Sequence, residues 1–381
     1  MIRNKVTPRK DYISKIEKLG FNFHTISDEK YWDENVNYAF NSKQIDELET
    51  ATNELYEMCI NAVQYVIDNN LYSQFEIDRK FVPLIENGWN NELPSIYGRF
   101  DFAYDGINPP KMLEFNADTP TSLFEASVIQ WDWLGDTNKT LDQFNSIHEK
   151  LINYWKELIE YLYDDVLYFT CVKDNPEDLI TVEYLRDCAI QAGIKTDFIY
   201  LEDIGWDEHD KSFVDIDQYH IRNIFKLYPW EWIINEEFGD NLLRDVNNTI
   251  WIEPIWKMIL SNKAILPILW KLYPNHKNLL PSYFTVDELN GFDYVKKPLL
   301  SREGANIEIV VNGKSVESSV GDYGEDGFIY QKFNSLPNFE GNYPVIGSWI
   351  IGGESAGIGI RETKTLITDN LSRFVPHLIK N

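Results

Sequence analysis

The chain has 381 residues and a formal net charge of −26, a balance that argues against nucleic acid as a partner because phosphate backbones demand stripes of Lys and Arg. With 44% apolar and 14% aromatic residues it reads as a globular protein long enough for two or three domains. No segment is apolar for long enough to span a bilayer, and the basic start MIRNKVTPRKDY has no apolar run behind it, so neither a membrane anchor nor a secretory signal is expected. Three cysteines, Cys59, Cys171 and Cys188, show no metal spacing and leave one unpaired in any disulfide scheme, which predicts a reduced, cytoplasmic compartment. The acidity would steer a cationic substrate by long-range attraction, and it serves solubility equally well.

Residues 1–43 mix scattered aromatics with polar residues and predict short elements packed on a neighbour. Asn41 or Ser42 is placed to cap a helix from about Lys43 to Asn69, with Ile45, Leu48, Leu55, Met58, Ala62 and Val66 at helical spacing. The stretch Tyr97–Ser122 (YGRFDFAYDGINPPKMLEFNADTPTS) predicts two strands joined at Asp105-Gly106. Strand alternation puts Arg99 and Asp101 on one face, with Phe100, Phe102 and Tyr104 on the other. In the second strand Glu114, Asn116 and Asp118 share a face. A carboxylate pair with an amide oxygen suits Mg²⁺, and Arg99 beside a metal makes sense if a phosphoryl group also sits there. The alternative is a solvated sheet face with surface ion pairs. Ser122 with Glu125 fits a capping box for a helix whose free N–H groups would point back at this face.

Gln143–Tyr163 predicts a long helix. From Asp165 strand and helix alternate: a strand over 166–172, a helix over 182–193, strands over 198–201 and 220–227, and a helix over 230–238. This pattern predicts a small parallel α/β unit at 164–240, without a GxGxxG fingerprint. A helical run over Met258–Leu272 follows, with Lys257 and Lys263 near its start. The rest is β-rich: a strand Tyr294–Pro298, a glycine turn Ser301–Asn306, strands either side of Asn312-Gly313, a strand over Gly327–Phe333, and a hairpin of 343–351 with 356–362 over Gly352-Gly353. A glycine turn preceded by a lysine can cover phosphates with its N–H groups. There is no GxxxxGK[ST], so no P-loop is expected.

Several stretches together resemble the glutathionylspermidine synthases, in their ATP-grasp ligase portion, and most of all the stand-alone bacterial acid–amine ligases of that family. They are RFDF at 99–102, EFNADTPTS at 114–122, FKLYPWEW at 225–232, EPIWK at 253–257, SNKAILPILW at 261–270, VKKPLLSREGAN at 295–306 and GSWIIGGESAGIGIRE at 347–362. The resemblance implies an α/β (α+β) ATP-grasp fold built from residues 1–163 and 241–381, with the 164–240 unit inserted as a pre-ATP-grasp-like domain. It implies that Arg99 and Arg361 act on the transferring phosphoryl group. Asp101, Glu114 and Asn116 would hold two Mg²⁺ ions. Arg99, Phe100, Asp101, Lys257, Lys297, Arg302, Glu303, Gly304, Gln331 and Phe333 would surround ATP, and Thr119 and Thr121 would contact the acid substrate where glutathionylspermidine synthases carry serines. The implied reaction is carboxylate phosphorylation by ATP followed by attack of an amine, joining a small, peptide-like acid to an amine such as a polyamine. The bifunctional members carry an amidase domain before the ligase, and none is expected in this chain. True glutathionylspermidine synthesis, and a nucleotide- or polyamine-binding protein without turnover, are the alternative readings.

Overall fold

The computed structural model describes residues 1–26, 28–245, 248–289, 291–369 and 372–380. Helices and strands are interleaved along the chain, an α/β architecture with two five-stranded sheets, a four-stranded parallel sheet and a three-stranded sheet. The first five-stranded sheet is antiparallel and runs Arg373–Val375, Glu354–Thr363, Tyr343–Ile351, Tyr97–Ala103, Lys111–Asn116. It joins the early hairpin to the late one, with Gly347 opposite Asp101 and Trp349 opposite Arg99.

One face of this sheet is covered by the helix Ser42–Asp68, which starts in a reciprocal capping box between Asn41 and Gln44. Its buried stripe, including Leu48, Leu55, Cys59, Ala62 and Val66, packs with Phe100, Phe102, Ile346 and Ile350 in the largest of three apolar clusters among the described residues. The other face is covered only in part. Tyr97 and Trp349 stack there beside Trp155 and Leu151 of the helix Ile147–Leu158. Beyond them the helical turn over 125–129 packs on this face at Gly359, and Arg99 and Asp101 face a cavity. The helix Ile147–Leu158 is shorter than its apolar pattern predicts, because Ser146 N–H and Asn145 bond to the Glu354–Thr363 strand instead.

The second five-stranded sheet has the order Ser282–Tyr283, Phe328–Lys332, Tyr294–Pro298, Glu308–Val311, Lys314–Ser318. The parallel sheet has the order Ile250–Ile252, Asn223–Lys226, Val166–Thr170, Lys195–Phe198. Its edge strand thus comes from beyond residue 240. The helix between its first two strands is Pro176–Gln191, six residues earlier than the apolar pattern suggests; Asn175 caps it and Pro176 opens it. The predicted run over 258–272 is two helices, Lys257–Ser261 and Ile265–Leu272, interrupted where Asn262 turns its carboxamide to the Ala264 N–H and the Phe75 carbonyl.

Candidate active site

The Arg99 and Asp101 face of the first sheet, the second sheet and the loops after the parallel strands enclose a cavity of about 300 Å³. Thirteen of the residues singled out in the sequence line it: Arg99, Asp101, Glu114, Asn116, Thr119, Thr121, Lys297, Arg302, Glu303, Gly304, Gln331, Phe333 and Arg361. The cross-strand register explains the first four, since Arg99 faces Asn116 and Asp101 faces Glu114 across the hairpin.

Asp101 is at the centre of the charge pattern. Arg99 Nε donates to its Oδ1 at 2.7 Å, and Arg361 Nη2 donates to its Oδ2 at 2.6 Å. The remaining Nη1 of Arg99 donates to the Thr121 carbonyl at 2.6 Å, tying the hairpin to the loop that carries Thr119 and Thr121. Gly347 makes room for Arg99, because a Cβ there would lie 2.7 Å from the Arg99 Cδ. Glu114 lies 3.4 Å from Lys263 Nζ. Burial pushes the Glu114 carboxyl up, but Lys263, Lys297, Arg361 and Arg99 outweigh it and hold it at about 2. Lys297 donates to the Leu113 carbonyl and to Gln331 Oε1, both at 2.8 Å, and burial lowers it to about 8. Gly304 turns with φ of +69°, where a Cβ would lie 2.4 Å from the Thr368 carbonyl oxygen. Arg302 is held over the Trp232 ring and 3.4 Å from Glu231, so the FKLYPWEW stretch grips the glycine turn.

Four sequence expectations need correction. Phe100 does not reach the cavity; alternation sends it to the core, stacked on Phe115 with centroids 4.0 Å apart. Lys257 is also outside it, wholly buried with Nζ bound to the Tyr97 and Ala117 carbonyls and to Glu253. The lysine beside Glu114 is Lys263, which the break between the two short helices turns inward. Asp118 leaves the polar face, because the strand ends at Asn116 and Asp118 pairs with Lys226 at 2.6 Å and accepts the Trp230 N–H. Nor do Ser122 and Glu125 form a capping box; Ser122 adopts a positive φ and both side chains bond the Tyr31 hydroxyl.

The cavity also contains residues that sequence reasoning passed over: Tyr31, Asn175, Glu177 and Asp178. The Asn-Pro-Glu-Asp start of the helix Pro176–Gln191 was a legible signal for a helix end, though not for where it points. Burial and the nearby Glu177 push Asp178 up to about 7, and the same two causes push Glu125 up to about 8. Arg99, Arg361 and Lys297 therefore bring cations to the cavity, Lys263 approaches Glu114 from an adjoining pocket, and Glu177 and Asp178 add further carboxyl groups.

Fold and cavity together define an α/β protein whose site sets oxygen donors among cations. Comparison with known proteins identifies the family. The profile described as glutathionylspermidine synthase preATP-grasp matches residues 3–380, and the chain belongs to that family. A Haemophilus influenzae protein named "Putative acid--amine ligase" is 42% identical over 383 residues, covering 97% of each chain. The trypanothione synthetase of Crithidia fasciculata is 30% identical over 360 residues, 86% of this chain and 54% of that one. The bifunctional glutathionylspermidine synthetase/amidase of Escherichia coli is 28% identical over 374 residues, 90% of this chain and 59% of that one. This chain thus spans a little over half the length of the latter two. Among the described residues no helix is long and apolar enough to cross a membrane.

Proposed function

We propose that the chain is an ATP-dependent carboxylate–amine ligase of the ATP-grasp type, working through an acyl phosphate. The observation that carries this reading is the cavity in which Asp101, Glu114 and Asn116 meet Arg99, Arg361 and Lys297, with Lys263 approaching Glu114 from an adjoining pocket. Two carboxylates and an amide on adjacent strands are the oxygen donors a hard divalent cation takes, and four cations nearby suit a polyphosphate. Bound there, Mg²⁺ would neutralise charge on the phosphates. The chain's own residues do the rest. Lys297 and the Gly304 turn orient the nucleotide, with Gln331 and Phe333 at its base. Arg99 and Arg361 exchange Asp101 for the phosphoryl group in transfer. Thr119 and Thr121 sit where the acid would lie, next to Arg99. Glu177 and Asp178 hold the cationic amine at the far wall. ATP phosphorylates the acid's carboxylate, releasing ADP; the neutral amine then attacks the acyl carbon, phosphate leaves, and the amine's proton is lost as the amide forms.

The ligase portion would comprise residues 1–163 and the chain after the parallel sheet, with that sheet's unit inserted from about 164 onward. The relatives named above suggest a thiol peptide such as glutathione as acid and a polyamine such as spermidine as amine. The test is ADP release with Mg²⁺–ATP and mixtures of carboxylates and amines, with mass spectrometry of the products. Release that requires both an acid and an amine, with a new amide, is expected. ATP binding without ADP release for any pair would favour a binding protein. Glu114→Gln is expected to weaken Mg²⁺–ATP binding while the fold stays intact, and unchanged affinity in calorimetry would remove Glu114 from the metal set.

A further inference from the structure

The glycine turn over 301–306 is held from three sides. Lys263 Nζ donates to the Ser301 carbonyl at 3.0 Å, and the Ser319 hydroxyl donates to the Gly304 carbonyl. The third hold comes from the chain after the parallel strand Asn223–Lys226. There the Arg302 guanidinium lies 5.1 Å from the centre of the Trp232 ring and 3.4 Å from Glu231 Oε1. Glu303 and Asn306, on either side of Gly304, have φ of +56° and +54°, a backbone region that side chains rarely adopt. A turn of this shape needs outside contacts to keep it.

Glu231 and Trp232 belong to a short helix, Trp230–Ile233, that is itself fixed. Trp230 is buried, with its backbone N–H bound to Asp118 and its indole N–H to the Glu253 carbonyl, both at 2.9 Å, and Ile233 is in the core. Trp232 differs from both. It is 40% exposed, it borders the candidate active site, and its ring meets Arg302 and Tyr228. An aromatic face fixes the plane of a guanidinium without consuming its N–H donors, so Arg302 can be held in place and still bind an anion.

We infer that Trp232, assisted by Glu231, is a positioning residue for the nucleotide's phosphates: it holds Arg302, and with it the turn over 301–306, at the cavity. The inference rests on the nucleotide-binding reading above. Hydrogen exchange of the unliganded full chain, calorimetry with Mg²⁺ and a non-hydrolysable ATP analogue, and steady-state kinetics test it together. Trp232→Leu should speed exchange across 301–306 and weaken the analogue about tenfold. It should raise KM for ATP by the same factor with kcat within about twofold, the pattern of a ground-state hold. Trp232→Phe, which keeps an aromatic face, should restore exchange, affinity and KM to near the wild-type values. Unchanged exchange in Trp232→Leu, a loosened turn with undiminished analogue affinity, or a Phe variant as impaired as the Leu variant would overturn the inference and leave the ligase reading standing. Absence of analogue binding by the wild-type chain would remove that reading and the role of Trp232 with it.

Discussion

Asp101 carries two guanidinium groups, and this pairing says how the site is kept ready. A buried carboxylate bound by Arg99 and Arg361 is neutralised before any ligand arrives. On the proposed reading, free Mg²⁺ would have to compete with both arginines, whereas a magnesium-bound polyphosphate would offer the arginines new acceptors as it takes the carboxylate. Calorimetry should therefore show Mg²⁺ binding that is weak alone and strong with a non-hydrolysable ATP analogue. Arg99→Ala is expected to lower turnover far more than ATP affinity, and equal losses would make Arg99 a ground-state anchor. Glu125 has a different pH signature. Burial first, then Glu177, lifts it from 4.5 to about 8. The folded state then keeps a proton that the unfolded chain has lost across that window, so this group's contribution to stability falls as pH rises from 4.5 to 8. Glu125→Gln should flatten the decline in Tm between pH 5 and 8.5 by a few degrees, roughly the scale of a 1 kcal/mol change.

At the scale of elements, the two lysines near the helical break separate structure from chemistry. Lys257 neutralises Glu253, whose Oε1 accepts the Ile96 and Tyr97 N–H groups at the start of the key strand. Lys257→Met would leave that carboxylate buried and unpaired, costing about 3 kcal/mol or more in denaturant unfolding. Lys263→Met should leave Tm nearly unchanged and weaken nucleotide binding. The reverse pattern would restore Lys257 to the phosphate site. The hairpin was legible in advance because alternation and a two-stranded register need only local sequence. The helical break was not, because it depends on Asn262 finding the Phe75 carbonyl, a partner 187 residues away.

At the scale of the whole molecule, the charge of −26 and the carboxyl groups of Glu177 and Asp178 would act together on a cationic substrate. If the amine is a polyamine, its association should slow steeply as salt rises from about 20 to 200 mM, and a salt-independent on-rate would argue against electrostatic capture. The cavity is assembled from segments that are far apart in sequence: the hairpin near residue 100, the helix start near 177, the glycine turn near 304 and the late strands. Asp118 and Lys226, both fully buried, join the first of these to the parallel sheet.

The amino-acid order alone was enough to set Arg99, Asp101, Glu114 and Asn116 side by side, because period-two alternation and a short turn leave them little choice. It also carried the family, through motifs spread over the chain. Which lysine faces Glu114, why Asp118 turns away, and how Tyr31, Glu177 and Asp178 come to line the cavity were decided by tertiary packing. Those choices rest on burial and on hydrogen-bond partners that lie scores of residues away, and no local pattern encodes them.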